Sequence, residues 1–113
     1  MYDITENLTI EAGVEIVCAE NAGLGIYDSG SLTIAGTSAE EVIIRGKENV
    51  RGYWRGIHIE TNSLNNDINY LRLSNAGSNY VYCCNGIGSL FLKNGKTAIK
   101  NTSISEGAGY GIM

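Results

Sequence analysis

With 113 residues the chain has room for one domain and little more. Hydrophobic residues at 43% and charged residues at 18% exclude a disordered tail, and a formal net charge of −4 disfavours nucleic acid, whose phosphates want a basic face. The 15 glycines with no proline exclude collagen, proline-rich linkers and mucin-like stalks, and point to many tight turns between short strands.

Helical periodicity is absent, and short apolar-x-apolar triplets run along the chain instead. In order they are Leu8-Thr9-Ile10, Val14-Glu15-Ile16, Leu24-Gly25-Ile26, Leu32-Thr33-Ile34, Val42-Ile43-Ile44, Ile57-His58-Ile59, Leu71-Arg72-Leu73, Val81-Tyr82-Cys83 and Leu90-Phe91-Leu92. Such alternation predicts half-buried strands of about three to five residues. Turn signals separate nearly all of them, among them Ala12-Gly13, Asn21-Ala22-Gly23, Asn75-Ala76-Gly77, Asn85-Gly86 and Asn94-Gly95. The helix-friendly run Thr37-Ser38-Ala39-Glu40-Glu41 is too short to nucleate and reads as a polar turn.

Strands this short bury too little to stand as hairpins. Stacked in register as successive coils about 4.8 Å apart, they share one continuous core. The expected architecture is an all-β, right-handed parallel β-helix of about five coils with little or no helix. Repeats of 16 and 18 positions (Leu8 to Leu24 to Val42) and of 25 and 24 positions (Leu32 to Ile57 to Val81) suit a solenoid. Proline would delete a bond between neighbouring coils, which accounts for its absence. Asn62, Asn65, Asn66 and Asn69 cluster around one expected turn, where amide side chains can bond the coils above and below.

Charge is uneven: residues 1–50 carry nine acids against Arg45 and Lys47, and residues 51–113 carry three acids against six bases. The acidic half reads as a solvated face, since no calcium-loop spacing is present. No apolar run is long enough to span a membrane, so membrane insertion is not expected. The acidic start Met1-Tyr2-Asp3-Ile4-Thr5-Glu6 does not read as a signal peptide, so either the protein is cytosolic or its targeting segment precedes this sequence. Cys18, Cys83 and Cys84 have no metal-binding spacing, and His58 is the only histidine. The cysteines read as small core residues, with a disulfide from Cys18 to Cys83 or Cys84 as the alternative. No metal and no cofactor is expected.

The run Asn7-Leu8-Thr9-Ile10-Glu11-Ala12-Gly13-Val14-Glu15-Ile16, then Gly30-Ser31-Leu32-Thr33-Ile34-Ala35-Gly36-Thr37, Glu41-Val42-Ile43-Ile44-Arg45-Gly46 and Gly52-Tyr53-Trp54-Arg55-Gly56-Ile57, resembles the coils of bacterial secreted parallel β-helix proteins. Tyr70-Leu71-Arg72-Leu73-Ser74-Asn75-Ala76-Gly77 and the run from Asn101 to Ile112 are similar to further coils, so the resemblance covers nearly the whole chain. It implies the pectate-lyase-like architecture and an extracellular or cell-surface location. It does not select a function, because lyases, hydrolases, adhesins and plain stalks share that architecture. The end at Met113 falls within an expected coil, which suggests a single β-helix domain belonging to a longer solenoid, or ends that associate with another subunit.

The galacturonan hydrolases of this architecture carry Asn-Thr-Asp, Asp-Asp, Gly-His-Gly and Arg-Ile-Lys, and none of these strings occurs here. The only catalytic candidates are His58 and Glu60, expected about 7 Å apart on one outer face, where the bland reading is a solvated polar pair. Trp54 is expected over an end or corner of the core. Its alternative role, with Tyr53, Tyr80 and Tyr82, is a stacking platform for a sugar ring. The first functional expectation is a non-catalytic structural or adhesive segment contacting polysaccharide or cell-surface glycans. Part of a polysaccharide lyase or glycoside hydrolase, and a carbohydrate-binding module, are the alternatives.

Overall fold

A computed structural model describes residues 2–79 and 88–112. Thirteen short strands run in chain order: β1 (Tyr2–Ile4), β2 (Asn7–Glu11), β3 (Glu15–Cys18), β4 (Gly23–Asp28), β5 (Ser31–Ala35), β6 (Val42–Gly46), β7 (Gly56–Thr61), β8 (Asn66–Asn69), β9 (Leu71–Ser74), β10 (Gly88–Lys93), β11 (Thr97–Lys100), β12 (Ser103–Ser105) and β13 (Tyr110–Ile112). Every third strand falls in the same sheet. The first sheet is β1-β4-β7-β10-β13, the second β2-β5-β8-β11 and the third β3-β6-β9-β12, and all their pairings are parallel. This is a right-handed parallel β-helix: four full turns of three strands each, and β13 opening a fifth.

The alternating residues point inward and stack on their own kind. In the first sheet Leu24 lies beside Ile57 and Ile57 beside Leu90; in the second Ile34 lies beside Ile68; in the third Ile44 lies beside Leu73. All of these but Leu24 are buried in one core, with Trp54 at the corner between β6 and β7. The polar run 37–41 is a turn closed by reciprocal backbone bonds between Thr37 and Glu40.

Two expectations are corrected by the register. The coil step is uneven: Leu32 lies beside Leu8, 24 positions away, whereas Ile57 lies beside Leu24 and Leu90, 33 positions away on each side, so Leu32 and Ile57 are not one step apart. Leu8 and Leu24 belong to different sheets of the same solenoid, so their spacing never measured a full turn. Val81, Cys83 and Cys84 lie outside the described residues. The stretch from Asn66 to Asn69, expected as a turn, is strand β8, whose inward positions are Asn66 and Ile68.

The buried Asn66 completes bonds that the ladder leaves open at a corner. Its Oδ1 accepts from the Leu32 backbone N–H at 3.0 Å, and its Nδ2 donates to the carbonyls of Lys96 at 3.0 Å and Ser63 at 3.1 Å. One amide thus ties the second, third and fourth coils. Asn75 ties another corner of the third coil: its side-chain Oδ1 accepts from Gly46 N–H at 3.1 Å on one side, and its backbone N–H donates to Ser105 O at 3.2 Å on the other. Asn75 sits at φ 66, as do Asn21, Asn94 and Asn101 at similar left-handed values, a conformation asparagine tolerates at low strain.

Glycine serves a second purpose besides turning. Gly36 has an ordinary φ, but a Cβ there would meet the carbonyls of Tyr70 and, at 2.8 Å, Asn69 on the next coil. We predict that Gly36→Ala loses about 2 kcal/mol of unfolding free energy, since backbone must move to admit the methyl group. Asn66→Ala strands the buried Leu32 N–H, while the Lys96 and Ser63 carbonyls each keep a backbone donor, and it is expected to lose about 1–3 kcal/mol. Urea denaturation followed by circular dichroism measures both.

Candidate functional site

The outer face of the first sheet gathers most of the chemistry that the sequence singles out. Outward positions form two columns. One runs Asp3, Gly25, His58, Phe91; the other runs Tyr27, Glu60, Lys93. Gly25 has no side chain, and the Tyr27 ring folds across the space its Cβ would fill. That places Tyr27 against His58, with ring centroids 5.7 Å apart and planes tilted by 39°. On the other side Phe91 stacks flat on His58 at 4.7 Å and 9°.

His58 and Glu60 do share one outer face, as the alternation predicts. The expectation of a solvated pair is corrected for His58, which is only 1% exposed because rings from the coils on either side cover it. Its Nε2 lies 3.7 Å from Glu60 Oε1, beyond hydrogen-bond length, and Lys93 Nζ lies 3.3 Å from that same oxygen. Burial pushes the His58 pKa below its ordinary value, the Glu60 carboxylate pulls it partly back, and Lys93 lowers it further. A general acid or base must reach the proton it transfers, directly or through one water. A ring enclosed between Tyr27 and Phe91 offers a substrate no such approach.

Trp54 occupies a core corner, buried, with its Nε1 donating to Ser74 O at 2.7 Å. Its ring has no open face for a sugar. Tyr53 is half-buried, its ring edge lying over Gly46. Tyr80 and Tyr82 lie outside the described residues. Cys18 is a free, half-buried thiol whose pKa burial pushes up to about 11, so it is protonated and unreactive at neutral pH. Among the described residues no group of three or more His, Cys, Asp or Glu side chains is placed to hold a metal ion, and no helix is long and apolar enough to cross a membrane.

Several other charged side chains of the outer surface pair from one coil to the next. Glu15 meets Arg45 at 3.4 Å between the first and second coils, Glu41 meets Arg72 at 3.0 Å between the second and third, and Asp67 meets Lys100 at 3.9 Å between the third and fourth. Glu60 and Lys93 sit directly in register. Sequence reasoning missed these pairs and the Tyr27–His58–Phe91 stack, because they depend on registers of 28 to 33 positions that the triplet spacing does not reveal.

Fold and surface together define a right-handed parallel β-helix with an aromatic and ion-paired outer face. Comparison with protein-family models, curated proteins and solved structures found no match.

A buried neutral histidine makes stability depend on pH. The folded pKa of His58 is depressed below the unfolded value of 6.5, so its contribution is complete above that value and is lost as pH falls through the folded pKa. His58→Phe keeps the stack and removes the titration. The melting temperature of the parent chain is therefore expected to drop more steeply than that of the variant on acidification below pH 6.5. Parallel slopes in thermal scans would contradict this.

Proposed function

We propose that this chain is a non-catalytic structural segment of an extracellular or cell-surface β-helix protein, a stiff solenoid that presents its outer face for adhesion or glycan contact. One observation carries the reading: at each step between the four full coils an outer-face carboxylate engages a base of the neighbouring coil, Glu15 with Arg45, Glu41 with Arg72, Asp67 with Lys100 and Glu60 with Lys93. Hydrolysis of a glycosidic bond calls instead for two carboxyl groups facing one another across the scissile bond, about 5 to 10 Å apart. Paired charges strung along the stack favour rigidity over chemistry.

The stacked core supports the same reading. A solenoid whose coils touch only their neighbours gains length without changing its cross-section, which suits a stalk or a display surface.

The experiment is incubation of the purified chain with neutral and uronic-acid polysaccharides, scored by new reducing ends and by ultraviolet absorbance of unsaturated uronates, beside a glycan array. The expected outcome is no cleavage product. Cleavage abolished by Glu60→Gln would replace this reading with the enzymatic one.

A further inference from the structure

Two of the turn signals pair asparagine with glycine: Asn85-Gly86, outside the described residues, and Asn94-Gly95. Asn94 and Gly95 form the tip between β10 and β11, both left-handed at φ 62 and φ 69, the backbone that a tight asparagine-glycine turn prefers. Both residues are exposed. That exposure belongs to the corner itself: on the third coil, with a coil on either side, Leu64 in the matching corner is 67% exposed. The chain is held on both sides of the tip. Lys93 closes β10, and Lys96 N–H donates to Ser63 O at 3.2 Å while its carbonyl accepts from Asn66 Nδ2 at 3.0 Å. Between these anchors neither the Asn94 side-chain amide nor the Gly95 N–H has a hydrogen-bond partner among the described residues.

We propose that Asn94 is a site of spontaneous covalent modification in the folded chain, deamidation through the Gly95 nitrogen. That nitrogen loses its proton to hydroxide and attacks Asn94 Cγ. The N–Cγ bond forms, the Cγ–Nδ2 bond breaks, and the amide nitrogen takes a proton from water and leaves as ammonia. The product is a five-membered succinimide. Water then opens the ring. Opening at Cγ gives aspartate, and opening at the backbone carbonyl gives isoaspartate, whose main chain runs through Cβ and Cγ. One water is consumed and one ammonia released, with no oxidant or cofactor. Nucleophile and electrophile are neighbours in one chain, so the attack is intramolecular.

The surroundings single out this asparagine. Gly95 carries no side chain to crowd its nitrogen. Asn21 and Asn101 occupy similar left-handed turns, but the Asn21 amide is bonded to Ser78 and that of Asn101 to Asn69. Each is also followed by a residue with a side chain, Ala22 and Thr102. The isoaspartate product has a structural consequence. It lengthens the main chain where Gly95 lies so close to the third coil that a Cβ would meet Thr61 O at 2.6 Å and Ser63 O at 2.7 Å. The longer tip displaces Gly95 or pulls Lys96 from Ser63, and the fourth coil loses part of its hold on the third.

The test is incubation of the purified folded chain in neutral and in mildly alkaline buffer. Peptide mapping by mass spectrometry then reads Asn94 apart from Asn85, and methyl transfer by an isoaspartyl methyltransferase reports the rearranged product. Asn94 is expected to convert ahead of every other described asparagine, and faster in the alkaline buffer because the Gly95 proton must be lost. Asn94→Gly admits a positive φ without strain, so it is expected to fold normally by circular dichroism and to lose the signal from this peptide. The isoaspartate form, separated by anion exchange, is expected to melt below the fresh chain, while incubated Asn94→Gly keeps its melting temperature. An unmodified Asn94 in the folded chain, conversion confined to the urea-unfolded chain, or another described asparagine reacting first would overturn the proposal.

Discussion

The structure depends on one repeated interaction: each coil gives its backbone donors and acceptors to the coil before and the coil after, in parallel and in register. Among the described residues no strand is longer than six residues, and alone none could offset the entropy of its own ordering. Stacked, they place isoleucine, leucine and valine on one another, so every added coil buries the apolar face of the last. Composition follows from that arrangement. Proline would remove a donor from the ladder, and glycine is needed both where the chain turns and where backbones come too close for a methyl group, as at Gly36.

A ladder of this kind fails at its corners, where the chain leaves one sheet for the next and backbone groups lose their partners. Two buried asparagines of the third coil fill that role. The Asn66 amide bonds the coils on both sides, and Asn75 bonds one neighbour through its amide and the other through its backbone N–H, so the middle of the stack is tied by side chains as well as by the ladder. Outside, exposed ion pairs repeat the pattern at each step, individually worth less than about 1 kcal/mol. Polar chemistry in this molecule is therefore largely spent on keeping the coils together, which is the physical basis for reading it as a scaffold.

Much of the architecture is legible in the sequence, because alternation over three residues marks an inward-outward strand regardless of where its partner lies. The triplets from Leu8 to Leu73 and Leu90-Phe91-Leu92 all fall in or overlap strands. β8 escaped because its first inward residue is Asn66, a polar side chain at a core position that breaks the apolar pattern. The coil length escaped for a different reason: sheet membership is a property of turns, and the segment between β6 and β7 is long enough to disguise the step. The site depends on the same hidden quantity. His58 and Glu60 are correctly placed on one face by local alternation, yet the burial of His58 comes from Phe91 and from Tyr27 lying over Gly25, both brought beside it only by the true register. Trp54 was legible as a corner residue because a lone tryptophan before a strand has a large ring to bury and one N–H to satisfy.

The register is thus the central claim, and cross-strand nuclear Overhauser contacts measure it directly. Backbone contacts linking Leu24 to Ile57 and Ile57 to Leu90, in the parallel pattern, are predicted. An antiparallel pattern, or contacts that join Ile57 to other strands, would contradict the account.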